Sequence, residues 1–239
     1  MADLTETTIL IPIDARGPVD PSPDVVRLFG AHSVIILGTY DVPDQATTDQ
    51  LRTQFGEEAT AAVDSVAEQF ETHGGPVDSR VVFTHDRSET VERVAAEAEV
   101  DAVLTESNLN TDLSRVLVPL RGDDNLERIV AFIGQLMRES ETMVTLLNVS
   151  TSDDEASQAE FILRGARDRL IEDGIEADRI DWQQERDFSP TEGILRAAEE
   201  YDLVVVGESA PSLRERLLGA VTNQVVDESP VPVLVVRNQ

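Results

Sequence analysis

Residues 203–222, LVVVGESAPSLRERLLGAVT, concentrate glycines, hydroxyls and arginines behind a run of valines. Those residue types suit phosphate. Glycine permits backbone angles barred to other residues and lets a ligand approach the main chain. Gly207 is expected to turn the chain at the end of a strand, so that backbone N–H groups and a helix start point at an anion. Gly219-Ala220-Val221-Thr222 would bring further amides and a hydroxyl from the far side. Arg121, Arg214 or Arg216 would supply a guanidinium, a strong partner for phosphate oxygens.

Other chemistry is poorly supported. Gly207-Glu208-Ser209-Ala210-Pro211 imitates a G-x-S-x-G nucleophile elbow, but the fifth position is Pro and that serine chemistry needs a later His. The three histidines, His32, His73 and His85, all lie upstream. None has a metal-ligand-spaced companion, and adjacent His85 and Asp86 would point to opposite faces of a strand. With 47 acidic residues, paired carboxylates discriminate nothing. The absence of Cys excludes disulfides and thiol catalysis. The reading is a binding protein, not an enzyme.

Short apolar runs alternate with helical patterns, the sequence form of βαβ units and a parallel sheet. In the second half RVLVPL (115–120) reads as a strand. Asp123 or Asp124 then caps a helix with Leu126, Ile129, Val130 and Ile133 on one face. TMVTLLNV (142–149) is the next strand, followed by a long helix from Asp153 to a C-cap near Gly174. DRIDWQ (178–183) is the third strand. Ser189-Pro190-Thr191-Glu192 is a capping box opening a helix to Glu200. DLVVVG (202–207), a helix over 212–226 and VPVLVV (231–236) complete the unit.

The first half repeats this more loosely: TILIPID (8–14), SVIILGTY (33–40), RVVFTHD (80–86) and DAVLTES (101–107) read as four strands. RVAAEAEVDAVLTES (93–107) closely matches RAAEEYDLVVVGES (196–209). Only Asn108–Ser114 separate the fourth strand from the next repeat, leaving no room for a fourth helix and fifth strand. Two α/β domains follow, 1–113 and 114–239, the first truncated and lacking a phosphate loop.

The net charge is -28 and every one of the 19 basic residues is Arg. The carboxylates are dispersed along the chain and interleaved with regular apolar runs, so neither an acidic tail nor disorder accounts for them. In molar salt the Debye length falls to about 3 Å and self-repulsion nearly vanishes. The composition therefore points to a very salty cytoplasm, that of a halophilic archaeon. It opposes nucleic-acid binding, which needs a basic footprint, and docking on anionic lipid. The N-terminus has no signal-peptide pattern and no apolar run approaches a membrane span, so a cytoplasmic location is expected.

A strand ending V-P-x-D, four βα units, a G-x2-G-x9-G-(S/T) loop and a final P-V-P-V-L-V-V strand together resemble the universal stress protein family. The matching residues are Ile11-Pro12-Ile13-Asp14, Val118-Pro119-Leu120-Arg121, Gly207 through Thr222, and Ser229 through Val236. The resemblance implies a doubly wound parallel sheet of order 3-2-1-4-5 in each domain. It also implies ATP or a related nucleotide on Pro119, Arg121, Asn148, Val206, Gly207, Ala210, Gly219, Ala220, Val221 and Thr222. Four departures mark this site as degenerate. Ala210 replaces a glycine and Pro211 follows it; eight residues instead of nine precede Gly219; Ala220 replaces a hydroxyl residue; Arg121 replaces the Asp. One deleted residue rotates a helical start by about 100°. The resemblance implies pairing of sheet edges across a two-fold axis, and an internal pseudo-dimer of the two repeats is one form of that pairing. The expectation here is a homodimer through the strand at 230–237, with a transporter or regulatory protein as a further partner. The alternative role is a soluble regulatory subunit of a membrane transporter.

Overall fold

The computed structural model describes residues 7–105, 109–121, 126–208 and 220–238. The chain divides into two compact units, one reaching to Asp112 and the other running Leu113–Asn238.

In the first unit the strands are β1 (Thr8–Asp14), β2 (Ser33–Asp41), β3 (Val77–Thr84) and β4 (Ala102–Thr105). All pair in parallel in the order β3-β2-β1-β4. The helices are α1 (Pro23–Phe29), α2 (Thr48–Glu71) and α3 (Arg87–Glu97). Ile9, Leu10, Ile11 and Ile13 of β1 are all buried, as befits an inner strand of a parallel sheet covered on both faces. On one face Leu10, Ile35, Leu37 and Val103 pack with Val94 and Ala95 of α3. The 24-residue α2 lies against β2 and β3. The sequence reading did not identify α2. Its signals are the Thr47 cap, which accepts from the Gln50 amide, and the buried stripe Ala59, Val63, Val66, Ala67 and Phe70.

The second unit holds β5 (Arg115–Pro119), β6 (Met143–Ser150), β7 (Ile180–Arg186), β8 (Leu203–Gly207) and β9 (Val233–Val236). Their order is β7-β6-β5-β8-β9, all parallel, which is the expected 3-2-1-4-5. Helices α4 (Leu126–Leu136) and α5 (Asp153–Glu172) pack together, with α5 on β6 and β7. Helices α6 (Pro190–Ala198) and α7 (Ala220–Glu228) pack together, and residues of both join the core of Leu117, Leu147, Val149, Val204, Val206, Val233 and Val235.

The two units share a device visible in the repeated sequence. Asp101 Oδ2 accepts the Thr8 amide at 2.9 Å, and the Asp101 amide donates to the Thr8 carbonyl at 2.9 Å. Asp202 Oδ2 accepts the Ser114 and Arg115 amides at 2.9 and 2.8 Å, and its own amide donates to the Arg115 carbonyl. One Asp thus ties the start of the fourth strand of each unit to the start of its first.

Several boundaries differ from expectation. The strand expected at 178–183 runs Ile180–Arg186, because Ala177–Arg179 forms a 3-10 turn. There the Arg179 guanidinium donates to the Met137 and Thr142 carbonyls, closing the end of α4. The strand expected at 80–86 runs Val77–Thr84, since Asp86 caps α3 by accepting the Glu89 amide. Ser189 accepts the Glu192 amide as the capping box predicts, but α6 stops at Ala198. Gly174 follows the α5 cap with φ +98, the left-handed geometry for which glycine is suited. Of the helix expected over 212–226, residues 220 onward are helical, and 212–219 lie outside the described residues. Among the described residues no helix is long and apolar enough to cross a membrane.

Candidate functional site

The carboxyl ends of β5, β6 and β8 form one rim of the second unit, the place where open α/β sheets carry ligands. Pro119 ends β5, paired with Leu147. The next amide, Leu120, donates to the Leu147 carbonyl at 2.7 Å. Asn148 is buried, its Nδ2 donating to the Leu120 carbonyl at 2.8 Å and its Oδ1 accepting the Ser150 hydroxyl at 2.7 Å. Asn148 therefore pins the turn after β5. Its polar atoms already have partners within the fold.

Arg121 follows that turn and is exposed, with no ion pair among the described residues. Close by, the Thr151 hydroxyl and amide donate to Glu155 at 2.7 Å each. These bonds hold the Glu155 carboxyl below its ordinary range, with the Arg121 charge adding to them.

At β8 the geometry corrects the expected turn. Gly207 is still a strand residue, paired with Val236, and the next amide, Glu208, continues the ladder to the Val236 carbonyl at 2.8 Å. The chain does not turn at Gly207, because β9 holds it extended. Val206 points into the core. Thr222 is buried and donates its hydroxyl to the Gly207 carbonyl at 3.1 Å, so α7 is fastened to the end of β8 by the group expected to face phosphate. Val221 packs against the same core. Ala220 begins α7. Ala210 and Gly219, with Pro211, Arg214 and Arg216, lie outside the described residues.

Sequence reasoning passed over Glu208. It is 6% exposed, directly after Gly207. Its Oε2 accepts the Asn238 amide at 2.8 Å, its carbonyl accepts Asn238 Nδ2 at 2.9 Å, and its Oε1 lies 3.8 Å from Arg237 Nε. The signal was present: a Glu closing an apolar strand, beside a strand that ends in Arg. Buried carboxylates need partners, and Arg237 is one such cation.

In the first unit Asp14 holds the corresponding strand end. Arg16 grips it with its own amide at 2.9 Å and its guanidinium at 2.6 to 3.0 Å. The hydrogen bonds from Arg16 hold the Asp14 carboxyl below its ordinary range, against the raising effect of burial. Each histidine whose bonding is resolved is engaged locally: His85 Nδ1 with the Val42 carbonyl and His73 Nδ1 with the Thr72 hydroxyl.

This architecture agrees with sequence similarity. The family model described as the universal stress protein family matches residues 112–237, the whole second unit and more than half of the chain. The chain belongs to the universal stress protein family. A universal stress protein from Archaeoglobus fulgidus DSM 4304 shares 17% identity at TM-score 0.65, over 97% of this chain and 98% of that chain. A universal stress protein homologue from Pseudomonas aeruginosa UCBPP-PA14 shares 12% identity at TM-score 0.59, over 97% and 93%. These two show that the double-unit fold recurs. A universal stress protein in complex with cAMP shares 28% identity at TM-score 0.44, over 52% of this chain and 95% of that chain. No curated protein matches the chain.

Proposed function

We propose that this protein is a non-enzymatic regulatory module of the universal stress type, whose second unit carries a nucleotide site in reduced form. Glu208 carries the reading: a buried carboxylate placed directly after Gly207, where the family's loop would receive phosphate. That carboxylate engages Arg237 and the Asn238 amide, so neither group is offered to a phosphate chain, and the net charge of -28 opposes one further at low salt. The Thr222 proton is already directed to the Gly207 carbonyl, so that hydroxyl is left to accept and not to donate. Asn148 is likewise held by Leu120 and Ser150. Among the described residues the exposed cation at this rim is Arg121, which favours weak contact with a single phosphate over a gripped triphosphate.

The test is calorimetric titration of ATP and AMP in molar KCl. Dissociation constants in the millimolar range or weaker support the reading, and micromolar ATP binding overturns it.

A further inference from the structure

Helix α5 turns Ala159, Leu163, Ala166 and Leu170 inward, yet Phe161 stands 82% exposed on its outer face. Aromatic residues make up 4% of this chain, so an aromatic side chain in solvent is a conspicuous use of a scarce type. One turn further along the same face is Gly165. A glycine inside a helix weakens it relative to alanine, and the other helical glycines described in this unit have a reason to be there. A Cβ on Gly134 would lie 3.1 Å from Asp173, and one on Gly193 2.7 Å from Val149. At Gly165 nothing lies within 4 Å of an added Cβ. Nothing within the described fold requires that glycine; it leaves a notch open to the outside.

A knob and a notch one turn apart are complementary to themselves under a two-fold axis. We propose that two copies of the chain pair through α5, antiparallel, with Phe161 of each seated over Gly165 of the other. Charge fits the same arrangement. Glu160 and Arg164 flank the knob on one side and already pair at 2.6 Å within one helix. Reversing the second helix about residue 163 sets the Arg164 of one copy beside the Glu160 of the other, so two pairs become a ring of four alternating charges. Asp154 and Glu172 on the same face would meet as like charges far from the centre, where crossing helices diverge. That residual repulsion, and the repulsion between two chains of net charge -28, is screened by salt. Pairing should therefore strengthen as KCl rises toward molar concentration.

Sedimentation equilibrium of the full chain across that salt range is the test. The expected result is a dimer in molar KCl that Phe161→Ser weakens at least about ten-fold, the effect of losing a central aromatic anchor. Gly165→Leu fills the notch with a better helix former, so it should also abolish pairing while leaving the melting temperature unchanged or raised. Glu160→Arg should weaken association and Glu160→Arg with Arg164→Glu should restore it. A chain monomeric throughout overturns the proposal. So does a dimer indifferent to Phe161→Ser and Gly165→Leu, including one that depends instead on residues 230–237.

Discussion

Removing the Arg237 side chain probes the rim most sharply, because it takes a nearly buried cation from beside the buried Glu208 carboxylate. The two side chains are 12% and 8% exposed and stand 3.8 Å apart. At an effective dielectric near 20 that separation corresponds to about 4 kcal/mol of Coulomb attraction, before the desolvation of both groups is subtracted. The Asn238 amide would still donate to Glu208 at 2.8 Å and retain part of the stabilisation. Arg237→Ala is therefore expected to destabilise the second unit by about 2–3 kcal/mol, below the upper range for breaking fully buried pairs. Arg186 is the control: its pair with Asp153 is exposed at 64% and 85%, and Arg186→Ala should cost about 0.5 kcal/mol or less. Adding Glu208→Gln to Arg237→Ala should recover part of that loss, because it lowers the buried negative charge while keeping an acceptor for Asn238. The assay is urea unfolding in molar KCl followed by the fluorescence of Trp182, the chain's single tryptophan, which lies in β7 of the same unit. A midpoint shift for Arg237→Ala no larger than that for Arg186→Ala would refute the reasoning.

Three further outcomes are expected. Tyr201 has a buried hydroxyl without a hydrogen-bond partner among the described residues, with the Arg115 guanidinium 4.7 Å above its ring. Tyr201→Phe should be neutral or stabilising by up to about 1 kcal/mol in the same unfolding assay, and a loss larger than that would show the hydroxyl is engaged. Glu99 follows α3 with φ 49, so Glu99→Gly should raise the melting temperature of the first unit by relieving a left-handed backbone, worth about 1 kcal/mol. Asp14 titrates below its ordinary value because of Arg16, so its contribution is complete above the usual carboxylate range and lost as pH falls through the folded-state value. Asp14→Asn should lower stability at neutral pH by less than about 1 kcal/mol, since the pair is half exposed, and the difference should vanish in acid. Calorimetric melting across pH checks it.

The parallel strands were legible because buried strands are continuous apolar runs, as in TILIPID and DLVVVG, while their order in the sheet came only from the family resemblance. The cap at Ser189 acts through a side-chain oxygen three residues from its target, and such spacing is visible in a string; the like-spaced Asp86 was read instead as the end of a strand. Strand ends were less legible. Arg179 ends its turn by reaching carbonyls some forty residues away, which no local pattern reveals. The site was half legible for the same reason. Glycines and hydroxyls marked the rim at the end of β8, but whether Thr222 faces a ligand or the Gly207 carbonyl depends on how α7 docks on β8. Glu208 looked like one acid among 47 until β9 brought Arg237 and Asn238 to it.

The central claim is that the rim beside Gly207 is closed by the protein's own groups and does not grip a phosphate chain. A crystal structure grown from molar KCl with ATP in excess tests it most directly. The account predicts Thr222 bonded to the Gly207 carbonyl, Glu208 buried against Arg237, and no triphosphate density between them. Ordered phosphates on the backbone after Gly207, with Glu208 swung out to solvent, would contradict it.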